Sequence, residues 1–121
     1  MKLKTKIYLE DDNGKFMGIG VLWLLNSIQR LGSLRAAAAD LGISYSKAYS
    51  MVENLENALE HRIIERKRGG KDRVGACLTP FATSFLEIYD DFQKKCKVLL
   101  EKPFDEFMEE YVKLESDGEK Q

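Results

Sequence analysis

The segment Gly32-Ser33-Leu34-Arg35-Ala36-Ala37-Ala38-Ala39-Asp40-Leu41-Gly42-Ile43-Ser44 constrains this chain more than any other. Each glycine can take the left-handed conformation that ends a helix, and each serine can cap the free amides that begin the next. Two stops and two starts so close together predict a second helix of about two turns after Ser33. A turn at Gly42-Ile43 and a third helix over residues 44–60 then follow. Four consecutive alanines bury little bulk, so their use is to let another helix cross closely. Upstream, Ile19, Leu22, Trp23, Leu25, Asn26 and Ile28 recur mostly at helical spacing and predict a first helix over residues 18–31.

The third helix has an apolar face of Ala48, Met51, Val52, Leu55 and Leu59, and an opposite face of Ser46, Lys47, Ser50 and Asn54. Such a pair of helices around a glycine turn fits a helix-turn-helix, with an ordinary helical hairpin as the alternative. The next segment favours the former. Residues 62–66 read as a strand, 67–73 as a basic turn containing glycine and 74–78 as a returning strand, which together make a wing.

At the N-terminus, residues 4–10 alternate polar and apolar, and Asp11-Asp12-Asn13-Gly14 supplies turn chemistry, so a strand or hairpin ends near Met17. After Thr79-Pro80, the apolar residues Phe81, Phe85, Leu86, Ile88, Tyr89, Phe92, Cys96, Leu99 and Leu100 predict a long helix over about 80–102. Its stripe is broader than one small core needs, so part of it is expected to meet a partner. Pro103 is expected to break that helix. Phe104, Phe107, Met108, Tyr111 and Leu114 then form the face of a short acidic helix, and residues 116–121 are expected to be disordered. The expected fold class is mainly α with a small β component: a winged helix-turn-helix with an N-terminal strand or hairpin and a long C-terminal dimerisation helix. The reading unit occupies residues 1–102, and the acidic helix and tail occupy 103–121.

With 121 residues, 44% hydrophobic and 32% charged, the chain can build one globular core. The longest apolar stretch, residues 19–25, is too short to span a bilayer, and the basic Met1-Lys2-Leu3-Lys4-Thr5-Lys6 leads into alternating residues rather than an apolar signal core. A cytoplasmic protein without a membrane partner is expected. Cys77 and Cys96 lack CxxC spacing and read as buried or half-buried thiols rather than a zinc or redox pair. His61 is the single histidine, no nucleophile neighbours it, and the carboxylates are dispersed. Neither catalysis nor a metal or cofactor is expected.

A formal net charge of −1 would argue against a nucleic-acid partner. The average conceals an asymmetry: residues 1–102 hold 17 Lys+Arg against 13 Asp+Glu, a net +4, whereas 103–121 hold 2 against 7, a net −5. Within 62–73, Arg62, Arg66, Lys67, Arg68, Lys71 and Arg73 face only Glu65 and Asp72. Such a run alone could be a solvated loop. Its place at the tip of a wing points to phosphate.

Residues 32–79 resemble the N-terminal winged helix-turn-helix domain of the ModE-type molybdate-responsive regulators, which is related to the DNA-binding domains of LysR-type regulators. The resemblance is carried by Gly32-Ser33, Ala37-Ala38, Leu41-Gly42-Ile43-Ser44-Tyr45-Ser46-Lys47-Ala48-Tyr49, Glu65-Arg66, Gly69-Gly70-Lys71 and Leu78-Thr79. It implies a homodimer built on the long helix after the wing, with two recognition helices in successive major grooves of a palindromic operator. In that family molybdate is bound by a separate C-terminal module. The chain ends about forty residues after the wing, so the resemblance implies binding of double-stranded DNA without molybdate binding.

Residues near the start of a recognition helix reach base edges. Tyr45, Ser46, Lys47 and Ser50 are the expected base contacts, with Asn54 one turn further on, while Tyr49 is expected to pack against the domain body. Backbone contacts are expected from Ser33, Arg35 and Ser44, and from the wing residues Arg66, Lys67, Arg68, Lys71 and Arg73 within 66–74. Glu53, Glu56 and Glu60 would repel phosphate and are expected in the later turns, away from it. The alternative is a protein-interaction module on the same scaffold, docking through its acidic C-terminal helix.

Overall fold

The structure, a computed structural model, describes residues 1–69 and 73–119. Both serine caps form as their local chemistry dictates. The Ser33 hydroxyl accepts from the Ala36 N–H at 3.0 Å and starts α2, Leu34–Leu41. The Ser44 hydroxyl accepts from the Lys47 N–H at 3.0 Å and starts α3, Tyr45–Leu59. Gly32 ends α1, Ile19–Leu31, in the left-handed region at φ 72°, and Gly42 ends α2 at φ 69°. The N–H of Ile43 reaches back to the Ala38 carbonyl at 3.0 Å, which sets the turn between the two helices.

Of the four alanines only Ala37 and Ala38 are buried, and α2 packs on both α1 and α3. The core holds Met17, Leu24, Leu25, Ile28, Leu55 and Ile63, all fully buried. Trp23 departs from the expected apolar face of α1: it is 55% exposed while its neighbour Leu24 is fully buried. A helix presents one stripe inward, and the stripe here is Val21, Leu22, Leu24, Leu25 and Ile28.

The N-terminal hairpin is shorter than the alternation suggests. β1 is Leu9–Asp11 and β2 is Gly14–Met17, closed at the pair Asp11↔Gly14 with the Asp11 carboxylate accepting from the Asn13 N–H. β2 has only four residues before the chain turns into α1, and β1 accordingly begins at Leu9 rather than at residue 4.

β3, Ile64–Gly69, and β4, Arg73–Leu78, pair antiparallel from Ile64↔Leu78 to Gly69↔Arg73. The strands therefore extend further into the basic segment than the expected 62–66 and 74–78, because continued pairing satisfies backbone groups otherwise left to water. At its base the wing is tied down twice. The Ala76 N–H donates to the Gly32 carbonyl at 2.8 Å. Thr79 joins the wing to α4, Pro80–Leu99: its N–H donates to the Ile63 carbonyl, its hydroxyl donates to the Arg62 carbonyl at 2.7 Å, and the same oxygen accepts from the Ala82 N–H.

Contacts divide the chain into two compact units, one of residues Lys6–Ile88 and the other from Tyr89 onward with Met1–Thr5. In the second unit α4 ends at Leu99, earlier than the expected residue 102, and α5 is Glu101–Glu119. Pro103 causes the early break: its ring would clash with the carbonyl four residues back, at Leu99, whereas in the first turn of α5 its missing N–H costs nothing. The Leu100 N–H is shared between the Cys96 and Lys97 carbonyls, and the Phe104 N–H donates to the Leu100 carbonyl to begin the new helix. Of residues 116–121, expected to be disordered, 116–119 continue α5 and 120–121 lie outside the described residues. No helix among the described residues is long and apolar enough to cross a membrane.

Candidate nucleic-acid interface

The first two turns of α3 present Ser46, Lys47, Tyr49 and Ser50 to solvent, with Ala48 fully buried beneath them. Tyr49, expected to pack, is 44% exposed. Tyr45 is the tyrosine held against the body: its half-buried ring lies under the Arg35 guanidinium, 4.6 Å from centroid to carbon, and 6.4 Å from the Tyr49 ring. The cause is position. Tyr45 follows the α2–α3 turn directly and so points back at the start of α2.

Beside it a cleft of about 190 Å³ joins three elements, lined by the Ser33 cap and Arg35 of α2, Tyr45 of α3, and Ile64, Arg66 and Ala76 of the wing. The predicted backbone contacts Ser33, Arg35 and Arg66 thus meet in one place. Both capping serines use an oxygen lone pair on an amide, which leaves the hydroxyl protons able to donate outward. Lys71 lies outside the described residues, and Lys67, Arg68 and Arg73 are placed by strand register alone.

On the other flank of α3, a groove of about 330 Å³ separates it from the hairpin and the start of α1, with Lys15, Phe16, Lys47, Met51 and Asn54 among its lining. The sequence gives no expectation of Lys15 and Phe16 beside α3. A hairpin turn carries no signal of which helix it will lie beside. Of the α3 carboxylates, Glu56 sits late in the helix and accepts the Ile63 N–H at 2.9 Å. Glu53 and Glu60 are exposed. Asp40 is also engaged, pairing with Arg30 at 2.7 Å and accepting from the Ser27 hydroxyl. Among the described residues Arg35, Lys47 and Arg66 form no ion pair, so their charge is available at the surface.

Helix, turn, exposed polar helix and basic hairpin in this order define a winged helix-turn-helix domain. The chain belongs to the family described as bacterial regulatory helix-turn-helix protein, lysR family, which matches residues 21–83. It is similar to the DNA-binding transcriptional dual regulator ModE of Escherichia coli (strain K12), with 37% identity over 67 residues that make up 55% of this chain and 26% of that protein. It is also similar to the molybdenum-pterin-binding protein MopB of Rhodobacter capsulatus, with 37% identity over 76 residues, 63% of this chain and 28% of that one. The chain spans about a quarter of the length of these curated relatives. Among solved structures, the crystal structure of a CbnR_DBD–DNA complex superposes with a TM-score of 0.53 at 23% identity, covering 67% of this chain and 87% of that one. That likeness is one of fold.

Proposed function

We propose that this chain is a sequence-specific DNA-binding regulator of transcription, a homodimer that places α3 in the major groove of a palindromic operator and lays its wing, residues 66–74, on the backbone or in the minor groove. The observation that carries this reading is the exposed polar start of α3 set directly beside the Arg35–Arg66 cleft. A helix fits the major groove of B-DNA, and a phosphate flanking that groove needs cationic partners within reach of the helix start. Lys47 donates to guanine O6 and N7, Ser46 and Ser50 to base or phosphate, and the Tyr45 hydroxyl to the edge of the groove. Ser33, Arg35, Ser44 and Arg66 hold phosphates, joined by Lys67, Arg68, Lys71 and Arg73 of the wing. No catalytic step enters this reading, and it does not extend to molybdate, because the family match lies within the helix-turn-helix and wing.

The second copy is supported by the exposed side of α4. Phe81, Phe85, Ile88 and Phe92 follow one another at steps of four, three and four, and Leu99 lies seven residues further on with Lys95 at the position between; Ile88 is 67% and Leu99 75% exposed. Ion pairs Asp90–Lys94 and Asp91–Lys95 put both signs of charge on this helix, so a second copy meets no uniform repulsion.

Selection of bound duplexes from a random pool tests the proposal. Enrichment of a two-fold symmetric motif, with half-sites about one helical turn or a multiple of it apart, is the expected result. A pool that remains unenriched at moderate salt overturns it.

A further inference from the structure

The acidic helix α5 carries an apolar line that reading DNA does not use. Phe104, Phe107, Tyr111 and Leu114 follow one another at spacings of three, four and three, the register in which one helix lays a seam along another. Their rings are aligned: Phe107 stacks on Phe104 at 6.3 Å and on Tyr111 at 6.5 Å between centroids. Phe107 is 54% and Leu114 69% exposed, so the outer half of the seam is uncovered.

The charges beside that seam decide what can cover it. The flanking positions hold Met108, Glu110, Glu115 and Asp117, with Asp105, Glu106 and Glu109 further round. A second α5 laid along the first would set acidic flank against acidic flank in either direction, a repulsion placed next to apolar contacts. The mixed charges along α4 impose no such bar. The two seams therefore call for different occupants.

We infer that α5 is a docking helix for a partner protein that offers a basic amphipathic helix, apolar along its own seam and bearing Lys or Arg on both flanks. Apolar burial along the seam supplies the affinity, and the opposite charges fix the choice of partner and make binding salt-sensitive. This surface is independent of the DNA proposal and stands whether or not that reading does.

The test uses the full chain and synthetic helical peptides of about three heptads with leucine on the seam. One has lysine on its flanks and one has glutamate. A third keeps the lysine flanks but has serine on its seam, and a fourth is the sequence of residues 101–119. Calorimetric titration at low salt is expected to show the lysine-flanked leucine peptide binding at least about tenfold tighter than each of the others, with most of that preference lost near 1 M salt. The double variant Phe107→Ser/Leu114→Ser, checked for retained helicity by circular dichroism, is expected to lose that binding while its DNA affinity stays unchanged. Five results would overturn the inference: no binding of the lysine-flanked leucine peptide, equal or tighter binding of the glutamate-flanked peptide, equal binding of the serine-seam peptide, equal or tighter binding of the 101–119 peptide, or binding that the double variant leaves intact.

Discussion

The Arg35 guanidinium lies 4.6 Å from the centre of the Tyr45 ring, so the first turn of α2 roofs the first turn of α3. An exposed cation over an aromatic face contributes about 0.5–1 kcal/mol. The same guanidinium lines the cleft with Arg66. Arg35→Ala is therefore expected to weaken cognate and non-cognate DNA alike by about tenfold, while unfolding free energy falls by no more than about 1 kcal/mol. Fluorescence anisotropy and urea unfolding check the two halves. Arg35→Lys should keep most of the affinity, because it keeps the charge.

Lys47 and Arg66 should separate in kind. Lys47→Ala is expected to cost about 1–3 kcal/mol at one base pair and to relax preference there. Arg66→Ala should weaken all sequences uniformly and lower the slope of log K against log salt by about 1. Binding titrations at several salt concentrations on matched and mismatched duplexes distinguish the two patterns.

Legibility in the sequence follows the range of the interaction. Ser33, Ser44, Gly32 and Gly42 act on residues within one turn of themselves, and all four do as their chemistry suggests. Pro103 was rightly seen as a breaker, but its ring acts at Leu99, so α4 ends early. Trp23 shares helical spacing with the apolar residues of α1, but the buried stripe turns Leu24 in and leaves Trp23 exposed. The stacking of Arg35 on Tyr45, the pairing of Ala76 with Gly32 and the groove beside Lys15 join segments distant along the chain, and no local pattern announces them.

The seam on α4 predicts oligomeric behaviour. The wild-type chain is expected to scatter light as a dimer at micromolar concentration, and Ile88→Asp/Phe92→Asp as a monomer with helical content retained. A wild type that is monomeric under those conditions would remove the second copy from the proposed complex.

Thr79 concentrates four hydrogen bonds at the junction of wing and α4, two of them through its hydroxyl. Thr79→Val leaves the Arg62 carbonyl and the Ala82 N–H without that partner and should destabilise the fold by about 2 kcal/mol in urea unfolding. Thr79→Ser should restore most of the loss.

Burial pushes the Tyr89 hydroxyl above the ordinary phenol value of 10.0. The unfolded chain ionises near that ordinary value and the folded chain at higher pH. The neutral phenol's contribution to stability is therefore complete below pH 10 and is lost as pH rises through the folded value. Unfolding free energy measured from about pH 8 to about pH 11 should decline in the wild type and decline less in Tyr89→Phe.

The bond from the Ala76 N–H to the Gly32 carbonyl is made entirely of main chain. Short of proline at residue 76, no side-chain exchange deletes it. The wing's cationic side chains can thus be traded for others while its root stays fastened to the start of α2. The wing is anchored on the residue just before the Ser33 cap, three residues ahead of the Arg35 that stacks on Tyr45. In the proposed complex, affinity would follow the chemistry of the wing's side chains, while the placement of the wing beside α2 is held by main chain alone.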